Sequence, residues 1–277
     1  MTRILIIDGN EAATRAKHVS VGGTASGDGY AATLKRLNPK IECDIVHPAD
    51  AEPKLPDGIA LSDYAGVAIT GSALNIYSLE PAVERQIDLV KAVFAAGVPT
   101  FGSCWGLQVG VTAAGGTVVR NPRGREFGFG RRITLTSPGR DHAMFQGKPE
   151  VFEACTVHVD TVDSLPAGST PLAHNDMGLQ AAEIKHRHGV FWGVQYHPEY
   201  SCAEIAAMAR RYGDVLIRDK LVKDQAELDQ LAADLVRLNE HPDDARLAWR
   251  FGVGPSITDP AVKLAELRNW LEKQVLK

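Results

Sequence analysis

A cysteine between two glycines is the residue of this sequence best suited to nucleophilic chemistry. Cys104 lies within Gly102–Gly106, where a predicted strand at Val98–Gly102 meets a predicted helix at Trp105–Ala114. A sharp strand-to-helix turn needs small residues two positions on either side of the nucleophile, because larger side chains would collide with neighbouring backbone. The sulfur would lie at a helix N-terminus, which favours a thiolate, and the backbone N–H of Trp105 would face a developing oxyanion. We therefore predict that Cys104 is a catalytic nucleophile.

A cysteine nucleophile needs a base, and the base needs a group that orients it. The apolar run Val190–Gln195 leads directly into His197-Pro198-Glu199. Proline ends the strand, and the short separation allows the Glu199 carboxylate to reach one nitrogen of the His197 imidazole. Because His197 is distant from Cys104 in the sequence, the fold must bring them together.

Alternating strands and helices are predicted for the first half of the chain. The predicted strands are Ile4–Ile7, Ile41–Val46, Tyr64–Thr70 and Val98–Gly102, and the predicted helices are Tyr30–Leu37, Glu80–Ala96 and Trp105–Ala114. This alternation is typical of a parallel sheet with right-handed crossovers. Short strands then suggest an antiparallel extension of the sheet; they are Val118–Val119, Gly130–Leu135, Val151–Phe152, Thr156–Val159, Ala181–Lys185 and Val190–Gln195. Between the first strand and the first helix, Gly9–Gly29 is expected to be a long loop.

Residues 201–277 are predicted to be helical. Ser201 and Glu204 have the spacing of a capping box, and Asp259-Pro260 is typical of a helix start. An apolar stripe at helical spacing contains Ile217, Leu221, Leu228, Leu231, Leu235 and Leu238. This stripe would either pack on the main domain or form a surface for a partner or a second copy of the chain. The second alternative would make the protein a homo-oligomer or part of a complex. We therefore divide the chain into a domain at 1–200 and a helical extension at 201–277.

The composition is that of an ordinary globular protein and excludes several classes. The chain has 277 residues and a formal net charge of −4, so the basic excess of a nucleic-acid-binding protein is missing. No apolar run approaches the roughly 18 residues of a membrane span, and the N-terminus does not resemble a signal peptide, so we expect a cytoplasmic protein without a membrane partner. The four cysteines form no CxxC pair, and we expect neither a disulfide framework nor a structural metal.

Taken together, GSCWGLQ and GVQYHPE resemble the class I (triad-type) glutamine amidotransferase family over essentially residues 3–200. Ile69–Ser72 resembles the family's glycine turn that completes the oxyanion hole. His158–Val162 and Arg125–Gly128 resemble the glutaminase domain of GMP synthetase in particular, although relatives there usually have His-Gly in place of His158-Val159. The resemblance implies an α/β, flavodoxin-like fold with a mixed, mainly parallel sheet flanked by helices, and it implies no cofactor.

By that resemblance Cys104 is the nucleophile, His197 the acid and base, and Glu199 the residue that orients His197. The residues expected to bind substrate are Gly71, Ser72, Trp105, Gln108, His158 and Val159. Five nearby arginines could also dock an acidic partner or a phosphorylated substrate, or form a solvated surface; they are Arg120, Arg123, Arg125, Arg131 and Arg132.

Three functions remain open at this point. The first is a glutamine amidotransferase-type hydrolase that releases ammonia from glutamine through a cysteine γ-glutamyl thioester and feeds a separate synthetase subunit. The second is a γ-glutamyl peptide hydrolase with the same triad. The third, from another class, is a non-enzymatic binding or regulatory module. Because only helix is predicted after residue 200, we expect no ATP-pyrophosphatase domain and therefore not a complete GMP synthetase.

Overall fold

The computed structural model describes residues 2–277, which are built around a nine-stranded sheet in the order β2-β1-β3-β4-β11-β10-β9-β6-β7. The strands are β1 (Thr2–Ile7), β2 (Ile41–Val46), β3 (Gly66–Ile69), β4 (Thr100–Ser103), β5 (Thr117–Arg120), β6 (Glu126–Leu135), β7 (Val151–His158), β8 (Asp160–Ser164), β9 (Ser169–Asn175), β10 (Gly178–His186) and β11 (Gly189–Val194). The parallel pairs β1–β2, β1–β3, β3–β4 and β4–β11 confirm the predicted α/β, flavodoxin-like class. β10, β9, β6 and β7 continue the sheet in antiparallel fashion.

The helices lie on both faces of this sheet. They are α1 (Ala12–Ser20), α2 (Ser26–Leu37), α3 (Pro81–Ala96), α4 (Trp105–Ala113), α5 (Ser137–Asp141), α6 (Cys202–Arg211), α7 (Gly213–Arg218), α8 (Gln225–Glu240), α9 (Ala245–Phe251), α10 (Pro255–Thr258), α11 (Pro260–Lys263) and α12 (Ala265–Trp270), which continues as a π-helical turn at Leu271–Val275. No helix within residues 2–277 combines the length and the apolar character needed to cross a membrane.

Side chains of β1 alternate between two cores. Ile4 and Ile6 contribute to the core that contains α2 and α12, whereas Leu5 and Ile7 contribute to the core that contains α3 and α4. This is the pattern expected of a parallel strand that is covered on both faces. In the first core the fully buried Trp270 of α12 lies so close to β3 that a Cβ at Gly66 would be 2.9 Å from its ring.

Two expectations about the strands were wrong. The strand predicted at Val118–Val119 was assigned to the antiparallel extension of the main sheet. It belongs to β5, which pairs with β8 in a separate two-stranded sheet. Gly116 permits this, because a Cβ there would lie 2.6 Å from the carbonyl oxygen of Ser164 in β8. The run at 190–195 was also grouped with the extension. As β11 it joins the two halves, since it is parallel to β4 and antiparallel to β10.

The segment Gly9–Gly29 was expected to be a loop, but it contains α1 and the first turn of α2. α1 was missed because His18 is its one buried residue, so it has almost no apolar face. Gly27 allows α2 to approach β2 closely, and its N–H donates to Asp8 Oδ2 at 2.9 Å.

The capping box predicted at the start of α6 forms only in part. The Ser201 hydroxyl accepts from the Glu204 N–H at 3.1 Å. The Glu204 carboxylate does not return to Ser201, because it contacts the His18 imidazole and the N–H of Thr24. The predicted start of α11 is confirmed, since Asp259 accepts from the N–H of Ala261 at 2.8 Å.

Candidate active site

The turn from β4 to α4 holds Cys104 in a strained conformation. Its φ is 53° and its ψ is −103°, a region that non-glycine residues rarely occupy and that is common at functional sites. A Cβ at Gly102 would lie 2.6 Å from the backbone of Gly106, and a Cβ at Gly106 would lie 2.6 Å from the carbonyl oxygen of Ile69. Both glycines are therefore required by close backbone approach, as the sequence analysis predicted.

Strand pairing brings the second motif to Cys104. β11 and β4 are parallel with Val194 opposite Ser103, so both chains leave the sheet at the same edge. The Cys104 N–H donates to the Val194 carbonyl at 2.8 Å. His197, three residues beyond β11, lines the same small cavity as Cys104. The fold thus unites two motifs that are distant in the sequence.

His197 is buried and tightly paired. Its Nδ1 is 2.7 Å from Glu199 Oε1, and the two side chains are only 2% and 4% exposed. Burial by itself would lower the pKa of His197, but the charges of Glu199 and Cys104, with hydrogen bonds to both, raise it to about 10. The imidazole is therefore cationic at neutral pH and carries a proton that it can donate. The ring of Tyr200 stacks on the imidazole with centroids 3.9 Å apart.

Glu199 is itself held by two residues that the sequence analysis missed. Its Oε2 accepts a hydrogen bond from the Ser103 hydroxyl at 3.0 Å, and the Tyr30 hydroxyl lies 3.1 Å from the Ser103 hydroxyl. Burial, and then the charge of Glu199, raise the pKa of Tyr30 well above its usual value. Tyr30 is thus a neutral phenol that can donate to Ser103, and the chain of hydrogen bonds runs from α2 to His197.

The turn after β3 packs against the imidazole. A Cβ at Gly71 would lie 2.5 Å from His197 Cε1, so only glycine fits there. Asn10, also missed from the sequence, fixes this turn: its Nδ2 donates to the Gly71 carbonyl at 3.0 Å, and its Oδ1 accepts from the Ala73 N–H at 3.2 Å. The Ser72 hydroxyl donates to the Gly9 carbonyl at 2.7 Å. These contacts hold the turn rigidly beside His197.

Two adjoining cavities meet at Cys104. The larger has a volume of about 190 Å³, and among its lining residues are Ser72, Gln108, Arg120, Arg125, His158, Val159 and Asp160. The smaller has a volume of about 20 Å³, and among its lining residues are Asn10, Gly71, His197, Tyr200, Met208, Arg211 and Tyr212. Five of the six predicted substrate-binding residues therefore line one cavity or both. The exception is Trp105, whose indole is fully buried and donates to Gln86 Oε1 at 2.7 Å, leaving only its backbone near the sulfur.

The side chain of His158 is occupied by protein contacts. Its Nε2 is 2.8 Å from Glu126 Oε2, and its Nδ1 is 2.9 Å from the carbonyl oxygen of Asp160. Glu126 Oε1 also accepts from Asn175 at 2.7 Å. His158 thus supports the wall of the larger cavity, and the adjacent backbone is what remains available to a ligand.

The arginine cluster expected from the sequence is dispersed. Arg120 and Arg125 line the larger cavity, and Arg125 pairs with Asp219 at 3.2 Å. Arg123 and Arg132 instead bind Asp176 through its carbonyl and carboxylate oxygens. The remaining arginine, Arg131, donates to the carbonyls of Phe251 and Gly252 at the C-terminal end of α9. No single basic surface results.

Comparisons with known proteins identify the family to which this chain is similar. Residues 27–211 match the family model described as glutamine amidotransferase class-I. The chain is 35% identical over 279 aligned positions to a γ-glutamyl-L-1-hydroxyisopropylamide hydrolase from a Pseudomonas species, covering 99% of this chain and 93% of that relative. It is 30% identical over 152 positions to a glutamine-hydrolysing GMP synthase from Wolinella succinogenes, covering 55% of this chain and 28% of that relative.

The fold also resembles a solved structure along its whole length. A crystal structure of a glutamine amidotransferase from Thermotoga maritima superposes with a TM-score of 0.67 at 20% identity, covering 100% of this chain and 99% of that one. The match includes the helices after residue 200, so this arrangement of sheet and helices occurs in another protein.

Proposed function

Because the chain belongs to the class-I glutamine amidotransferase family, we propose that it hydrolyses the amide bond of a γ-glutamyl compound through a thioester on Cys104. The family and the similarity to a γ-glutamyl amide hydrolase make the chain a hydrolytic enzyme, so the non-enzymatic alternative is not retained. The observation that carries the proposal is the strained turn that holds Cys104 in one cavity with His197, whose imidazole binds Glu199 at 2.7 Å.

The proposed reaction has two steps. In the first, the Cys104 thiolate attacks the γ-carbonyl carbon, and backbone N–H groups at Trp105 and the turn after β3 stabilise the oxyanion. The imidazolium of His197 protonates the departing nitrogen, and a γ-glutamyl thioester remains. In the second step, neutral His197 takes a proton from water, the resulting hydroxide attacks the thioester, and glutamate leaves as the thiolate returns. Glu199 orients the imidazole in both steps.

The larger cavity is the proposed site for the γ-glutamyl group. Gln108, Ser72 and the backbone at Val159 border it on different sides, and they offer the hydrogen-bonding groups that an amino acid head needs. Arg120 and Arg125 add positive charge for its α-carboxylate.

Two substrate classes share this acyl group. Glutamine would release ammonia, and a substituted γ-glutamyl amide would release an amine. The second class is supported by the similarity to the γ-glutamyl-L-1-hydroxyisopropylamide hydrolase, because the alignment covers 93% of that relative. The second candidate function is delivery of ammonia from glutamine to a separate synthetase subunit, which the similarity to the glutamine-hydrolysing GMP synthase supports.

Glutamate release from glutamine and from γ-glutamyl amides tests the proposal directly. Replacing Cys104 with Ala is expected to abolish release from every compound, whereas replacing the buried Cys155 with Ala serves as the matched control. Acid-quenched wild-type enzyme should carry a γ-glutamyl adduct on the peptide that contains Cys104, detected by mass spectrometry. Turnover by the Cys104→Ala variant would contradict the mechanism. Ammonia delivery is tested separately by asking whether a synthetase co-purifies with the chain and uses its ammonia.

A further inference from the structure

The smaller cavity lies on the side of Cys104 where a leaving group must be protonated. His197 borders the smaller cavity and is not among the residues that line the larger one. A general acid must lie within hydrogen-bond reach of the atom that it protonates. If the γ-glutamyl group occupies the larger cavity, which rests on the proposed function, the departing nitrogen faces the smaller cavity. The residues that line the smaller cavity would then contact the leaving amine.

An arginine without an acidic partner lines this side. Arg211 and Met208 come from α6, and Tyr212 follows them. Among residues 2–277, no carboxylate lies within 4.0 Å of the Arg211 guanidinium. Its one side-chain hydrogen bond is a long one of 3.4 Å to the Tyr212 hydroxyl, and its guanidinium lies over the Tyr212 ring at 4.9 Å. Stacking positions the guanidinium while leaving most of its five N–H donors unused.

The side chain of Asn10, which also lines this cavity, is already satisfied. Asn10 Nδ2 donates to Gly71 and Ser26, and Asn10 Oδ1 accepts from Ala73. Asn10 therefore shapes the cavity without offering a hydrogen bond to a ligand. Arg211 and the hydroxyls of Tyr200 and Tyr212 remain able to donate one, and Arg211 is the charged member of the three.

We propose that Arg211 and Tyr212 form a leaving-group subsite that binds an oxygen acceptor, so that the preferred substrates are γ-glutamyl amides of small amines bearing a hydroxyl or a carboxylate. The cavity of about 20 Å³ holds roughly one water-sized group. The amine nitrogen fills it, and the carbon chain with its substituent extends along Arg211, which is only half-buried. The same positive charge disfavours an amine that carries a second ammonium group.

A series of γ-glutamyl amides of similar size tests this subsite. The leaving amines are propylamine, ethanolamine, glycine and 1,2-diaminoethane, which place an apolar, hydroxyl, carboxylate or ammonium group at the same point. We expect kcat/KM for the ethanolamide or for γ-glutamylglycine to exceed kcat/KM for the propylamide by about tenfold or more. A hydrogen bond to a charged group contributes enough binding free energy for a difference of this size. The aminoethylamide should be the poorest substrate. Comparing the γ-glutamyl ethanolamide with γ-glutamylglycine shows whether the subsite prefers a hydroxyl or a carboxylate.

Variants assign the preference to Arg211. In Arg211→Met, kcat/KM for the better oxygen-bearing amide should fall close to kcat/KM for the propylamide. Arg211→Lys should retain part of the wild-type preference. The matched control is Arg210→Met, because Arg210 is exposed, belongs to the same helix and does not line the cavity. Thermal melting of each variant verifies folding.

The outcomes separate this proposal from the proposed function. Equal kcat/KM for the propylamide and both oxygen-bearing amides in the wild type would overturn the subsite, even if all are hydrolysed. A preference that survives in Arg211→Met would overturn the role of Arg211. If that variant does not fold, the wild-type series and Arg211→Lys decide. Failure of the wild type to release glutamate from any γ-glutamyl compound would overturn the proposed function itself, and the subsite with it.

Discussion

The hydroxyl of Ser103 donates a hydrogen bond to Glu199 Oε2 at 3.0 Å, so the residue immediately before Cys104 holds the carboxylate that pairs with His197. Glu199 thereby has both oxygens occupied, one by His197 and one by Ser103. Tyr30 extends the chain to α2. An orienting carboxylate that is fixed at both oxygens can hold the imidazole in a single position, and we infer that Ser103 is a positioning residue.

Replacing Ser103 with Ala should lower kcat while leaving KM nearly unchanged, because the hydroxyl contacts Glu199 and not the substrate. A hydrogen bond to a charged group is worth about 1.5–3 kcal/mol, so the expected fall in kcat is roughly tenfold or more. Tyr30→Phe, which acts only through Ser103, should have a smaller effect. The control is Thr100→Val, since the Thr100 hydroxyl lies on the same strand but donates to the Val98 carbonyl. A rise in KM at constant kcat would mean that Ser103 acts on substrate binding instead.

Alkylation should distinguish Cys104 from the other three cysteines. Burial raises the pKa of Cys43 and of Cys202 to about 11, and that of Cys155 to about 12. At pH 7.5 less than about one part in a thousand of such thiols is ionised, and the thiolate is the reactive form. Iodoacetamide should therefore modify Cys104 first, and glutamine or another γ-glutamyl compound should slow that reaction by filling the cavity. Peptide mass spectrometry over a time course measures both effects; faster labelling of Cys43 would contradict the assignment.

The raised pKa of His197 predicts a specific pH dependence of stability. A group whose pKa rises on folding, here from 6.5 to about 10, contributes stability that is complete below pH 6.5 and lost as the pH rises through about 10. The slope in this window is at most about 1.4 kcal/mol per pH unit. Glu199→Gln removes the carboxylate charge that raises the pKa of His197, so its unfolding free energy should fall less steeply with pH.

Urea denaturation of wild type and Glu199→Gln across that window measures the difference. The two proteins differ only in the Glu199 carboxylate, so the comparison isolates its effect. Parallel profiles would show that Glu199 does not set the charge state of His197. The same variant should lose less activity than Cys104→Ala, because the imidazole remains but is less well oriented.

The parts of the fold that the sequence predicts are those with a strong local pattern. Ile41–Val46 is recognisable from alternation and matches β2 at both ends. α1 lacks an apolar face, and β5 has the pattern of any short strand, so its partner could not be identified. In each case the missing information lies in tertiary packing, which local propensity does not contain.

The same division applies to the candidate site. Cys104, His197 and Glu199 were predictable because they lie in motifs whose glycines permit a sharp turn and whose proline ends a strand. Asn10 and Tyr30 have no such signal, because each acts on a turn or strand that is distant in the sequence. Such contacts follow from strand order and become visible only in three dimensions.

A buried ion pair should make the end of the chain essential for stability. Lys148 and Glu266 are 1% and 0% exposed and lie 2.9 Å apart, and the Tyr196 hydroxyl donates to Glu266 at 2.6 Å. Removing one partner of a buried pair costs about 3–5 kcal/mol, because the other charge is left without compensation. Glu266→Ala should thus unfold at much lower urea concentration than Glu272→Ala, the exposed control near the C-terminal end. Equal midpoints would show that Lys148 finds another partner.

Truncation after residue 200 extends the same argument to the whole helical segment. It would remove Trp270 from the core against β3, the buried partner of Lys148, and α6, whose residues line the smaller cavity. Loss of several buried apolar side chains at about 25 cal/mol per Å² is comparable to a typical total stability of about 5–15 kcal/mol. We therefore expect residues 1–200 to be insoluble or loosely packed, as measured by solubility and by the cooperativity of thermal unfolding. A soluble fragment that unfolds cooperatively and retains full activity would show that the helical segment is dispensable.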